Sequence, residues 1–164
     1  MERVQPDQPL LPSLLDRLID DRPDETREAP KSRSQVFREF KQGVRRDLEN
    51  LLNTHQRART HPENLEELNR SVVSYGIPDL RGADLATSGG RRNFARLVEE
   101  VIQRFEPRFL QVRVDLLDNA DPLDRILRFR IEALLRVDPA PEPVVFDSAV
   151  EPATGNVEVR GGVR

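Results

Sequence analysis

Residues 94–116 read FARLVEEVIQRFEPRFLQVRVDL, and two periodicities meet inside this stretch. Phe94, Leu97, Val98, Val101, Ile102 and Phe105 recur every three or four positions, as one buried stripe of a helix requires. Beyond Arg108 the period falls to two. Leu110, Val112, Val114 and Leu116 alternate there with Gln111, Arg113 and Asp115, which predicts a strand with one buried face. Pro107 is the switch, because it has no N–H to donate and forces Glu106 out of the α region. Glu106 therefore sits at a helix C-terminus, where the helix dipole disfavours a carboxylate by about 0.3–1 kcal/mol. A nearby cation must compensate it, and Arg104 and Arg108 are the local candidates.

Downstream of this corner the strand period continues. Leu127, Phe129, Ile131, Ala133 and Leu135 alternate with Arg128, Arg130 and Glu132, predicting a second strand reached through a connection at Asn119 to Pro122. Val144 to Asp147 predicts a short third strand and Asn156 to Arg160 a fourth, joined through Pro152 and Thr154-Gly155-Asn156. Sequential strands with short links are simplest as an antiparallel meander. Upstream, Phe37, Phe40, Val44, Leu48, Leu51 and Leu52 form a second helical stripe, with Ser34 as its expected N-cap and an end near Thr54. Pro62 to Leu68 predicts a weaker helical turn, Gly76 and Pro78 a tight turn, and Ser88 or the two glycines after it the entry to the helix that ends at Phe105. The predicted class is α+β: two main amphipathic helices on one side of a small antiparallel sheet of about four strands, since neither element hides its own apolar stripe.

A short amphipathic segment, Ser13 to Ile19, precedes all of this, followed by a charged stretch from Asp21 to Arg33 with almost no apolar residue. We therefore divide the chain into residues 1–33 (short helix and linker), 34–150 (the folded domain) and 151–164 (a C-terminal tail that forms at most a short edge strand). The 164 residues fit one domain with a modest core. The formal charge of -3, from 26 basic and 29 acidic residues, argues against nucleic acid and against an anionic membrane surface as partners. With no cysteine there are no disulfides or thiolate metal sites, and no apolar run approaches the ~20 residues of a membrane span. Direct membrane insertion is not expected, no secretory pattern opens the chain, and the expected location is cytoplasmic.

Four blocks of this sequence resemble a known family. They are Ser13-Leu14-Leu15-Asp16-Arg17-Leu18, Arg46 to Asn53, Ser71 to Leu80, and Phe105-Glu106-Pro107-Arg108 followed by Val112 and Val114. In order and spacing they are similar to the TssE family of type VI secretion baseplate components, relatives of the contractile-phage wedge proteins often labelled lysozyme-like. The resemblance implies a non-enzymatic part of a cytoplasmic baseplate without a cofactor. Its implied partners are the wedge proteins TssF and TssG, the baseplate protein TssK and the sheath proteins TssB and TssC. Carried onto this chain, Glu106, Pro107 and Arg108 are the partner-binding residues, and the sheet helps to start sheath assembly. Unpaired groups on a sheet edge accept a strand by β-augmentation, and the third and fourth strands are the expected edges. Leu14, Leu15 and Leu18 are additional partner-binding candidates, packing on either their own domain or a neighbour.

Blander readings stand beside these. Glu106 and Arg108 also suit an intramolecular ion pair that fixes the corner. Arg45, Arg46, Arg57 and Arg59 are interleaved with acids and read as a solvated helix face rather than a phosphate strip. His55 and His61 lack metal-ligand spacing. Tyr75 beside a tight turn reads as packing. The alternative functions are a peptidoglycan muramidase, in which Glu106 needs a second carboxylate roughly 5–10 Å away across a sugar cleft, and a generic cytoplasmic adaptor. The arginine-rich surface and open sheet edges lead us to expect poor behaviour without partners.

Overall fold

The computed structural model describes residues 32–56, 65–69, 71–78, 85, 87–118, 124–138 and 140–161, together with positions 15, 18 and 24. Helix α1 spans Arg33–Asn53 and α2 spans Ser88–Phe105; four strands follow, β1 Phe109–Leu117, β2 Leu127–Leu135, β3 Glu142–Glu151 and β4 Asn156–Gly161. Between the helices lie a single helical turn, Glu66–Asn69, and a 3-10 turn, Val72–Ser74. The sheet is an antiparallel meander in the order β1-β2-β3-β4. The α+β architecture expected from the two periodicities is what forms.

Each helix starts on a hydroxyl one position away from, or earlier than, the expected one. Ser32, not Ser34, caps α1: its Oγ accepts from Gln35 N at 3.3 Å while Gln35 Oε1 accepts from Ser32 N at 2.9 Å, a reciprocal capping box. Thr87, not Ser88 or a glycine, caps α2 by accepting from Gly90 N at 3.1 Å. The α1 helix ends at Asn53 with Thr54 as its cap, as its stripe predicts.

One face of the sheet is dry. Val112, Ala133 and Val144 form one row across it, and Val114, Ile131 and Phe146 the next. Phe40, Val44, Leu48 and Leu52 of α1 and Phe94, Val98 and Ile102 of α2 cover these rows in one core. The opposite face carries Asp115, Arg130, Asp147 and Arg160 in register, alternating in sign across all four strands. Such exposed pairs contribute little individually.

Two strand expectations need correction. Leu110 was expected on the buried face, yet it is exposed and Phe109 is buried, because the register with β2 shifts between Phe109 and Gln111. A bulge adds one residue and so reverses the facing of everything before it. The third strand is not short: inward positions Val144, Phe146, Ser148 and Val150 run its length, and the polar Ser148 hid the alternation. It is also an interior strand, since β4 pairs with it from Phe146 to Glu151, so β1 and β4 are the sheet edges.

Several expectations fall outside the described residues: Leu14, the linker 21–31 except position 24, Arg57, Arg59, His61, Pro62 and the link 119–122. Among the described residues no helix is long and apolar enough to cross a membrane.

Candidate functional site: the acid-arginine corner and its cleft

Pro107 does what its chemistry dictates. Glu106 leaves the helix at φ -115 and ψ 83, its N–H still donating to Ile102 O at 2.9 Å, and the chain turns at once into β1. The turn folds Arg108 back over Glu106. Its Nε donates to Glu106 Oε1 at 2.6 Å, its Nη2 donates to Glu106 Oε2, and its backbone N–H also reaches Oε1 at 3.2 Å. The expected cation is therefore Arg108, in a two-pronged fork, while Arg104 lies over the Phe105 ring at 6.0 Å from its centroid.

A third residue completes the cluster. Asp47, on α1, accepts from Arg108 Nη2 at 2.7 Å and from Arg46 Nη2 at 3.3 Å. Asp47 lies in the block Arg46 to Asn53 that carries the family resemblance, where it has no role of its own. The signal was present: position 47 falls between Val44 and Leu51 on the apolar stripe of α1, where an acid has no business unless something meets it. Arg108 thus ties the end of α2 and the start of β1 to the middle of α1, and Arg136 N donates to Arg108 O at 2.7 Å to bring in the chain beyond β2.

Glu106 is only 5% exposed, so the ion pair is largely withdrawn from water. Burial works against the charge on Arg108, but the hydrogen bonds and charges of Glu106 and Asp47 outweigh it and push its titration above the ordinary arginine value. The guanidinium also lies over the Phe40 ring, its carbon 6.0 Å from the centroid. Its Nη1 is buried and makes no hydrogen bond to the described residues.

The cluster forms one wall of an open cleft of about 590 Å³, whose other walls include Phe40, Leu51, Tyr75, Phe105, Pro107 and Arg136. Tyr75 packs edge-on against Phe105 with centroids 5.3 Å apart, as the packing reading of the turn expects. Burial, then the charges of Asp47 and Glu106, push the Tyr75 phenol up, with Arg108 opposing. The cleft combines aromatic walls with an arginine whose negative partners are its own chain's, which suits binding more than proton transfer.

Other candidates are dispersed. Leu15 and Leu18 are helical and exposed. Arg45 and Arg46 are engaged with Glu49 and Asp47 rather than presented as an anion strip. His55 pairs through its backbone with Ile77 in a short parallel bridge. Among the described residues no group of three or more His, Cys, Asp or Glu is placed to hold a metal ion.

Comparison with known proteins gives a match to one family. The family described as baseplate wedge protein gp25 matches residues 38–140. No protein with a curated description matches the chain. Among solved structures, one chain of "The baseplate complex from the type VI secretion system" aligns at 17% identity and a TM-score of 0.48, covering 72% of this chain and 96% of that one.

Proposed function

The chain belongs to the family of the baseplate wedge protein gp25, a family of structural baseplate components, and on that premise we propose that it works by binding within a type VI secretion baseplate. In this reading it joins the wedge proteins TssF and TssG through Glu106, Pro107 and Arg108. It faces TssK and the first ring of sheath proteins TssB and TssC, on the cytoplasmic side of the machine. The observation that carries it is the span of the family match, which runs from α1 into the link after β2 and takes in Asp47, Glu106, Arg108 and the cleft they border.

The geometry supports binding over muramidase chemistry. A glycosidase acid must hold a transferable proton at a sugar oxygen, with a second carboxylate free across the cleft. Here both oxygens of Glu106 accept from Arg108, and Asp47 accepts from the same guanidinium. The Arg108 side chain keeps 19% of its surface exposed and lines the cleft, so the intramolecular pair and a partner contact are compatible.

The test is co-purification with co-expressed TssF and TssG, using the intact chain, Arg108→Ala and Arg136→Glu, each checked for folding by circular dichroism. Arg136 borders the cleft and is exposed, so reversing its charge leaves the Asp47, Arg108 and Glu106 cluster in place. Capture by the intact chain, with loss in both variants, supports the wedge contact. Normal capture by a folded Arg108→Ala overturns the role given to the motif, and no capture by the intact chain returns the question to the adaptor reading.

A further inference from the structure

The outer edge of β4 is already occupied by α1. Arg45, Glu49 and Asn53 stand four residues apart, in one row along the helix, and the row runs beside the strand. Asn53 Oδ1 accepts from Val157 N at 2.9 Å and Asn53 Nδ2 donates to Val157 O at 2.7 Å, which is the pair of bonds a neighbouring strand would make. One step along, Glu49 Oε1 accepts from Val159 N at 3.4 Å and Arg45 Nη1 donates to Val159 O at 2.9 Å. The row is braced internally, since Arg45 Nη1 also donates to Glu49 Oε2 at 3.0 Å and Asn53 Nδ2 to Glu49 O at 2.8 Å. Three helix side chains thus stand in for a fifth strand.

We propose that this row is an edge guard that keeps β4 from pairing with the β4 of a second copy of this chain. The strand is self-complementary. In an antiparallel pairing centred on Val159, the outward N–H and C=O of Val159 meet those of Val159 in the second copy, and Val157 lies opposite Gly161. Glu158 then lies opposite Arg160 of the second copy on the exposed face, where each now pairs with the other within one chain at 2.7 Å. Register, charge and backbone all favour that dimer once the edge is bare. An edge strand with a bare row of N–H and C=O groups is a ready template for pairing with another chain. The guard also overturns the sequence expectation that β4 is an open edge, and it leaves β1 for strand addition; there Glu99 Oε2 accepts from Val114 N at 3.2 Å, and among the described residues no side chain hydrogen-bonds the neighbouring outward groups of Val112 and Leu116.

Amide exchange and sedimentation equilibrium test this together. The intact chain is expected to be monomeric, with the Val157 and Val159 amides exchanging slowly. In Glu49→Ala/Asn53→Ala those amides exchange roughly tenfold or more faster in dilute solution, and a dimer appears as concentration rises. Adding Glu158→Arg abolishes that dimer, and adding Glu158→Arg together with Arg160→Glu restores it. An intact chain that dimerises through β4 overturns the proposal; so does a folded double variant that stays monomeric, or a dimer indifferent to the charge reversals. Should the double variant fail to fold, Asn53→Ala alone must speed Val157 while leaving Val159 slow, and unchanged Val157 exchange there is equally fatal.

Discussion

Arg108 shows how one side chain can serve both fold and interface, and why its replacement needs careful reading. It satisfies Glu106 and Asp47 together, so Arg108→Ala takes the guanidinium from Glu106, which is nearly out of water, and leaves Asp47 only its longer contact with Arg46. Breaking a buried pair in this way costs about 3–5 kcal/mol, and thermal unfolding should show the loss. Arg108→Lys keeps the charge but not the fork, because an ammonium is a point donor that does not match a carboxylate on two prongs. It should fall between the intact chain and alanine in melting temperature. A lysine variant that melts with the alanine variant assigns the stability to geometry rather than to charge. Tyr75 is the chain's single tyrosine and there is no tryptophan, so its absorbance titration belongs to one group. Its pKa is raised in the fold by burial first and then by the charges of Asp47 and Glu106. A raised folded pKa means that the folded state holds the proton more tightly. The associated stability is complete below the unfolded value near about 10 and is lost as pH rises through the folded value. Stability should decline above about pH 10, and Tyr75→Phe should flatten the decline; a phenol that titrates at its ordinary value removes the premise.

At the scale of elements, the turn that delivers Tyr75 depends on one glycine. Gly76 has φ 101, and a Cβ there would lie 2.1 Å from Thr54 O, the cap of α1. That same oxygen accepts from Ile77 N at 2.9 Å, so the turn is pressed against the helix end by its own bridge. Gly76→Ala combines a disfavoured backbone conformation with a clash against rigid backbone, and should cost on the order of 3 kcal/mol or more. It should also weaken partner capture by moving Tyr75 away from Phe105, which a measurement at a temperature where the variant is folded separates from instability. The helices, the meander and the Glu106 corner were legible in the sequence because each is written as a period or a proline within a few residues. The bulge at Leu110 was not, since one extra residue in a strand leaves the local alternation intact and appears only against β2. The true cap of α1 was hidden for a related reason: Ser32 and Ser34 are both plausible hydroxyls, and only the reciprocal bond with Gln35 distinguishes them. The link from Asp47 to Arg108 spans 61 residues and belongs to the packing of α1 on the corner, so its sole trace in sequence was an acid on an apolar stripe.

Across the whole molecule, the last strand ties these parts into one cooperative unit. Residues 151–164 read as a tail because only two apolar residues, Val157 and Val159, fall at strand period near the end. Both are buried to within 1% of their surface against α1, and their backbone groups take up Arg45, Glu49 and Asn53. The family match stops at residue 140, before β3, so sequence similarity does not flag this dependence. Physical terms do. Burial of two valines contributes about 3–6 kcal/mol, and removing β4 also takes from Glu49 and Asn53 their bonds to the strand beside bared core. Against a total stability of about 5–15 kcal/mol for a domain, that loss decides whether the chain folds. Truncation after Val150 should therefore abolish the cooperative thermal transition and with it any capture by wedge proteins, although Glu106, Pro107, Arg108 and the whole matched region remain. If the truncated chain still melts cooperatively near the intact one, β4 is an accessory strand. A single unfolding transition lost on truncation would mean instead that the corner at Arg108 depends on a strand at the far edge of the sheet, through α1, which carries Asp47 toward one and Asn53 toward the other.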